Sequence, residues 1–281
     1  MRSQRDQGFK KQGTSLGERL GVFSPTSPWP QILKRRKGVG SHNEKFISPQ
    51  AQDLFENFIS KRVVNPLFSI VGNALEEPTK LYYANFHDTD SEACIFSTTV
   101  YRVTLNLNPD VISSVLGLPR PSNPELFPPP DPLPNKEEII LTLSGREVEW
   151  GISLKRKELP KFRILALMLL YTLVPKGHVS VISSQMVYIV YCLENKLRIH
   201  APYILCKTMI EAAKAKGPKK GLPFGILVTK LLEQFLVPIP AGCTVIKAMS
   251  PMCAATVSRM GELDNPPPIA PNVPRRPVVN S

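Results

Sequence analysis

Apolar residues recur at helical spacing through most of the second half of the chain. Between residues 162 and 237 the pattern predicts a series of helices joined by short loops, which makes them antiparallel or steeply crossed neighbours. The first, FRILALMLLYTLVP, is apolar on nearly every face and ends at Pro175, so we expect it to be buried. The others are SSQMVYIVYCLENKL (capped at Ser183 or Ser184), PYILCKTMIEAAKAKG (starting at Pro202) and LPFGILVTKLLEQFLV (ending at Pro238).

The first half of the chain mixes helical and alternating patterns. SPQAQDLFENFISKRVV and PLFSIVGNALEE carry apolar stripes at helical spacing and predict two helices. LYYANF and CIFSTTVYRVTLNL then alternate aromatic and β-branched residues, which predicts two antiparallel strands on either side of the acidic loop HDTDSE. EIILTLSGREVEW predicts a second hairpin that turns at Ser144 and Gly145.

A short helix with signals at both ends follows the first hairpin, in TLNLNPDVISSVLGLP. Asn108 is a good N-cap and Pro109 suits the first helical position. Gly117 can adopt the left-handed conformation that ends a helix, and Pro119 prevents its continuation. We therefore predict a strand followed by a capped helix, a unit with no catalytic side chain.

These patterns predict an α+β fold that is predominantly α-helical, a helical bundle with one or two small β-hairpins. We place it in a single domain at residues 46–241, within which 119–134 forms a loop with eight prolines. Residues 1–45 are predicted to be a disordered basic arm, and 242–281 a disordered Pro-rich tail.

Positive charge is concentrated at the start of the chain. The net charge is +12, and residues 1–46 carry ten Lys and Arg against three acids. Four cations in a row, Lys34, Arg35, Arg36 and Lys37, suit either nucleic-acid phosphates or a nuclear import receptor. A solvated tail is equally compatible with them.

A second basic cluster lies in KAKGPKKGLP and consists of Lys214, Lys216, Lys219 and Lys220. These lysines can contact phosphates, but the segment lacks the frame of a nucleotide-binding loop. Pro218 also removes an amide that such a loop would use. The simpler interpretation is a basic helix end and turn.

Candidates for metal binding and catalysis are weak. The histidines (His42, His87, His178, His200) and the spacing of Cys192, His200 and Cys206 match no zinc motif, so no metal or cofactor is predicted. The odd, scattered cysteines favour a reduced intracellular protein, and the run from Ile164 to Val174 is too short to span a membrane. Asp88, Asp90 and Glu92 in HDTDSE can serve a metal-dependent nuclease, although turn formation explains them as well.

The order of these motifs resembles the plant transposon protein domain, a family related to the gag-like first product of Athila-type plant retrotransposons. The resemblance runs from about residue 50 to 240, through FENFISKRVVNPLF, TLNLNPDVISSVLGLP, the long helical region and LPFGILVTKLLEQFLVPIP. It implies a protein derived from a plant transposable element and supplies no catalytic residues. The chain shows no zinc knuckle, Asp-Thr-Gly protease site or Tyr-x-Asp-Asp polymerase motif.

Our leading hypothesis is a non-enzymatic module that binds nucleic acid or associates with itself, with no small-molecule ligand and a slight preference for the nucleus over the cytoplasm. The alternative is a degenerate nuclease or integrase-like enzyme that uses Asp88, Asp90 and Glu92. A decayed element without function is a third hypothesis.

Overall fold

The computed structural model describes Leu67, residues 70–118, 135–149, 151–175, 180–197, 199–215 and 222–247, and Ala255. Over these ranges it is a mixed α+β structure in which helices predominate, as predicted. The helices are α1 (Glu76–Ala84), α2 (Pro109–Leu116), α3 (Lys136–Ser144), α4 (Arg163–Thr172), α5 (Ser184–Glu194), α6 (Ala201–Lys214) and α7 (Gly225–Gln234). The strands are β1 (Asn73–Leu75), β2 (Phe86–Asp90), β3 (Ile95–Val100), β4 (Val103–Leu107), β5 (Ser153–Lys155), β6 (Val181–Ser183) and β7 (Val245–Lys247).

The described strands form small antiparallel sheets whose order is β2-β3-β4, β1-β7 and β5-β6. Strand β3 packs on α1, which also contacts α6 and α7. Helix α4 packs on α5, and α5 contacts α3 and the β5-β6 pair. None of the helices in the described ranges is long and apolar enough to cross a bilayer.

The core is one contiguous cluster that runs through both groups of helices. Residues Ile164 to Tyr171 of α4 are all buried, which confirms the prediction of an enclosed apolar helix. An aromatic group made of Tyr82, Tyr83, Phe86 and Phe96 fills the space between α1 and the three-stranded sheet. The Phe86 and Phe96 rings stack with centroids 4.4 Å apart.

The capped helix after the first sheet is confirmed as α2. Asn108 Oδ1 accepts a hydrogen bond from the Val111 N–H at 2.9 Å, and Gly117 has φ +62°. The Leu118 N–H then donates to the Ser113 carbonyl, and the Leu118 side chain is buried. The four helices predicted in the second half are also present as α4 to α7, and Ser183 is the N-cap of α5.

The predicted second hairpin is wrong, because residues 136–144 form helix α3. Asn135 caps this helix by accepting from the Glu138 N–H at 2.6 Å, and Gly145 ends it in the left-handed conformation with φ +71°. The β-branched run that suggested strands instead buries Ile139, Ile140 and Leu143 against neighbouring elements. Packing has overridden the local strand preference.

The first half also departs from its predicted boundaries. Residues 73–75, which we predicted as helix, form β1, and most of the predicted strand LYYANF lies in α1. CIFSTTVYRVTLNL is two strands rather than one, because Tyr101 and Arg102 make a two-residue turn with positive φ angles. The predicted helix SPQAQDLFENFISKRVV and the loop 119–134 lie outside the described residues.

Strand β7 lies beyond residue 241, in the segment predicted as a tail. Its residues pair with β1 from Asn73↔Lys247 to Leu75↔Val245. Beside this pair, the Glu76 N–H donates to the Thr244 carbonyl at 2.9 Å. The paired part of the chain therefore reaches Lys247.

Candidate nucleic-acid interface

Most of the cations predicted to contact nucleic acid lie outside the described residues: Lys34, Arg35, Arg36, Lys37, Lys216, Lys219 and Lys220. Lys214 is described and is the last residue of α6. Its Nζ donates a hydrogen bond to the Ser91 hydroxyl in the turn between β2 and β3. This lysine therefore ties α6 to that turn.

The acids of the HDTDSE segment are held by local hydrogen bonds. Asp90 Oδ1 accepts from the backbone N–H groups of Glu92 at 2.9 Å and Ala93 at 3.0 Å. Both bonds lower the pKa of Asp90 because they favour its charged form, and the bond from Ala93 has the larger effect. Asp88 pairs instead with the His87 ring at 2.7 Å.

The turn that carries these acids is also docked on α6. Tyr203 donates its hydroxyl to the Glu92 carbonyl at 3.2 Å, and burial raises the pKa of Tyr203 to about 12. Within the described ranges no group of three His, Cys, Asp or Glu side chains is arranged to hold a metal ion. His200, which we considered as a ligand, accepts from the Tyr203 N–H and so caps α6.

A basic stretch of the folded domain, residues 155–163, has the sequence KRKELPKFR, with five cations and one acid. We call it the basic segment. It begins at the end of β5 and continues through two 3₁₀ turns, Arg156–Glu158 and Pro160–Phe162, into the start of α4. Lys155, Lys157 and Lys161 are all exposed.

Apolar anchors fix the basic segment to the core. Leu159, which lies between the two turns, is completely buried. Phe162, the last residue of the second turn, is 7 % exposed, so both side chains point into the core. Strand β5 pairs with β6, and the Arg156 N–H donates to the Ser180 carbonyl at 2.9 Å. The lysines between these anchors therefore face solvent on an ordered backbone.

The single acid of the basic segment is already paired. Glu158 accepts from the Arg146 guanidinium at 2.5 Å, and Lys157 Nζ lies 4.0 Å from its other oxygen. Because Arg146 comes from the end of α3, Glu158 binds a cation from outside the segment. The positive charge of the basic segment is thus left mostly uncompensated by its own acid.

Two arginines of the segment, Arg156 and Arg163, are half-buried. Burial lowers the pKa of Arg156, and repulsion from Arg163 adds to this effect, while Tyr171 opposes it. Arg163 Nη2 donates to the Lys157 carbonyl at 3.1 Å. Arg156 Nη1 is buried and has no hydrogen-bond acceptor among the described residues.

The basic segment was not among the predicted sites, because it lies between the predicted second hairpin and the apolar helix and matches no binding motif. Counting charges in a nine-residue window would have found it, since five cations here face one acid. The pairing of Glu158 with Arg146 could not have been found in this way, because it joins residues from separate elements.

Comparison with known protein families identifies a match over most of the folded domain. A family model described as "Putative plant retrotransposon-related domain" matches residues 60–238, which include the capped helix α2, the basic segment and helices α4 to α7. No curated protein and no solved structure matches the chain. The match spans well over half of the 281 residues. The chain therefore belongs to the plant retrotransposon-related domain family.

Proposed function

We propose that this transposon-derived protein is a non-enzymatic, gag-like module that binds nucleic acid through the phosphate backbone. The observation that carries the proposal is the basic segment, in which Lys155, Lys157 and Lys161 are exposed on a backbone anchored by Leu159 and Phe162. Lysines held in this way neutralise phosphates and release counterions, and this contribution to affinity does not depend on base sequence.

The N-terminal cations extend the proposal. Lys34, Arg35, Arg36 and Lys37 add a dense charge to the same chain, and we propose that they strengthen phosphate binding or direct nuclear import. Lys214 has a smaller role in the proposal, because its ammonium group is engaged with Ser91.

Salt dependence tests the proposal. Binding of a labelled single-stranded RNA and a labelled DNA duplex is measured by fluorescence anisotropy at several salt concentrations. Replacing Lys155, Lys157 and Lys161 with Gln should lower the salt slope on single strands by about 2, since each phosphate contact contributes about 0.7. The proposal fails if wild-type protein binds neither nucleic acid at low salt, or if the triple variant binds like wild type.

A matched control removes the same charge elsewhere. Lys136, Lys196 and Lys247 are exposed and lie outside the basic segment, and their replacement with Gln should leave the slope nearly unchanged. A second variant in which residues 34–37 are all Ala measures the contribution of the arm, and unchanged binding would remove the arm from the proposal. Light scattering on the same samples measures self-association, which we proposed as the other interaction of this module.

The same samples also test the enzymatic alternative. Wild-type protein with Mg²⁺ or Mn²⁺ is incubated with the RNA and the DNA, and cleavage is followed on gels. Our proposal predicts no metal-dependent cleavage. Cleavage that is lost in both Asp88→Ala and Asp90→Ala would support the nuclease instead.

A further inference from the structure

We propose that Arg156 and Arg163 form a seat for a single phosphate group at the point where the basic segment meets α4. The inference rests on the proposed function, because it names one phosphate-binding position within the same surface. It differs from the exposed lysines in that both arginines are partly enclosed by the fold.

The fold leaves the charge of Arg156 without a carboxylate partner among the described residues. The only acid of the segment, Glu158, is paired with Arg146 at 2.5 Å and approached by Lys157. Arg156 Nη1 is buried without an acceptor, and the second guanidinium, that of Arg163, adds repulsion. A buried guanidinium N–H without an acceptor is unfavourable, and a phosphate oxygen would supply the acceptor that Arg156 lacks.

The surroundings of the two arginines suit such an anion. The Arg163 guanidinium is oriented by its bond to the Lys157 carbonyl, and the backbone of Arg156 is held by its bond to the Ser180 carbonyl. Guanidinium groups are the side chains best suited to phosphate because their planar N–H fork matches its oxygens.

The ligand is thus a phosphate oxyanion, supplied either by a nucleic-acid backbone or by a free phosphate compound. Two measurements distinguish these sources. The first compares the melting temperature of the full chain in sodium phosphate and in sodium chloride at equal ionic strength. The second measures affinity for a labelled single-stranded RNA in chloride. Both use wild type, Arg156→Gln, Arg156→Lys and the surface variant Lys196→Gln, which lies outside the basic segment and is exposed.

We expect phosphate to raise the melting temperature of wild type and Lys196→Gln by about 3 °C at roughly ten times its dissociation constant. Arg156→Gln should show no phosphate effect, and Arg156→Lys a reduced one, because an ammonium group cannot form the bidentate contact. In chloride, Arg156→Gln should be at least as stable as wild type, since it removes a repelled cation. RNA affinity should fall roughly 10-fold in Arg156→Gln.

The outcomes separate the seat from the proposed function. If phosphate does not stabilise wild type more than chloride does, or stabilises Arg156→Gln equally, the seat is refuted even when RNA binds. If the phosphate effect depends on Arg156 but RNA does not bind, the seat is supported, its ligand is a free phosphate and the nucleic-acid proposal fails. Should Arg156→Gln not fold, Arg163→Gln takes its place, and an undiminished phosphate effect in that variant refutes the seat.

Discussion

Charged residues of this protein differ chiefly in what surrounds them, and their number is a poor guide to their roles. Asp88, Asp90 and Glu92 form the densest acidic stretch of the described chain, yet Asp90 accepts two backbone hydrogen bonds and Asp88 pairs with His87. Arg156 is one cation among several, but it has a buried nitrogen without an acceptor among the described residues. Unmet hydrogen-bonding capacity points to a ligand more strongly than charge density does.

Asp90 should act on stability rather than on catalysis. Asp90→Ala removes the acceptor for two N–H groups and should lower the melting temperature by about 2 °C. Asp90→Asn keeps one side-chain oxygen, so its melting temperature should lie between those of wild type and Asp90→Ala. Because the folded pKa of Asp90 lies below its unfolded value, the contribution of its charge is complete above the unfolded pKa and is lost as pH falls through the folded pKa.

Differential scanning calorimetry from pH 7 down to pH 3 measures this effect. The difference between wild type and Asp90→Ala should be constant near neutrality and should shrink in acid. The neighbouring exposed variant Asp88→Ala is the control. An equal melting temperature for Asp90→Ala and wild type at pH 7 would contradict the role of this carboxylate in the turn.

The cysteines give a second prediction at this scale. Cys94, Cys192 and Cys206 are buried, and burial raises the pKa of each thiol, which keeps it in the unreactive protonated form. Cys243 is only half-buried. In a chain carrying Cys253→Ser, iodoacetamide at pH 8 should therefore alkylate Cys243 at least about ten-fold faster than the buried three.

Mass spectrometry of digested protein measures the labelling at each cysteine over time. The same protein in guanidinium chloride is the control, and all four thiols should then react at comparable rates. If Cys94 or Cys206 reacted as fast as Cys243 in the folded protein, the burial of these thiols would be disproved.

At the scale of elements, the accuracy of sequence-based prediction depended on how local the signals are. Helix α2 was predicted to its caps, because Asn108, Pro109 and Gly117 act within the helix itself. Helix α3 carries comparable signals in Asn135 and Gly145, but its β-branched run suggested strands. What distinguished helix from hairpin was packing of Ile139, Ile140 and Leu143 in the core, which a local pattern does not contain.

The basic segment shows the same difference between features that are local in the sequence and features that depend on the fold. The basic composition of residues 155–163 is visible in the sequence, whereas the pairing of Glu158 with Arg146 requires the fold. The turn between β3 and β4 was not predicted either, because it lacks the Gly or Asn that is usual in such turns.

The β3-β4 turn is strained and should be easy to improve. Arg102 is exposed and has φ +68°, a conformation that costs a residue with a Cβ atom about 1 kcal/mol and costs glycine little. Arg102→Gly should therefore stabilise the protein by about 0.5–1 kcal/mol, measured by urea unfolding followed by circular dichroism. Thr104→Gly, placed in β4 where φ is ordinary, is the control and should destabilise. A loss of stability in Arg102→Gly would contradict the turn.

At the scale of the whole molecule, contacts between residues far apart in sequence join the segment 73–77 to α7 and β7. Strand β1 is held on one side by β7 and on the other by α7, where Thr229 Oγ1 accepts from the Leu75 N–H at 3.1 Å. Glu77 adds a clasp, because its carboxylate accepts from the Thr244 N–H at 2.9 Å and from the Thr244 hydroxyl at 2.8 Å. One carboxylate at the start of α1 thus binds the chain directly before β7.

This clasp should open in acid. Burial raises the pKa of Glu77, but hydrogen bonds from Thr244 and from the backbone N–H of Glu77, together with the charge of Lys80, outweigh burial and lower the net pKa. The clasp is therefore complete above the unfolded pKa of about 4.3 and weakens as pH falls through the lower folded value. At pH 7, Glu77→Gln should raise amide hydrogen exchange in residues 245–247 about five-fold, the result of losing about 1 kcal/mol from two partly exposed hydrogen bonds.

Exchange measured by mass spectrometry on a peptide covering β7, from pH 7 down to pH 3 and corrected for the intrinsic rate, tests the clasp. Wild type should lose protection as the pH falls below about 4.3, whereas Glu77→Gln should already show the five-fold lower protection at pH 7 and change little. Glu76→Gln is the matched control, because it removes the neighbouring ion pair with Lys80 and leaves Thr244 untouched. Equal protection of β7 in wild type and Glu77→Gln would show that pairing with β1 alone holds the strand, since the register Asn73↔Lys247 to Leu75↔Val245 does not involve the carboxylate.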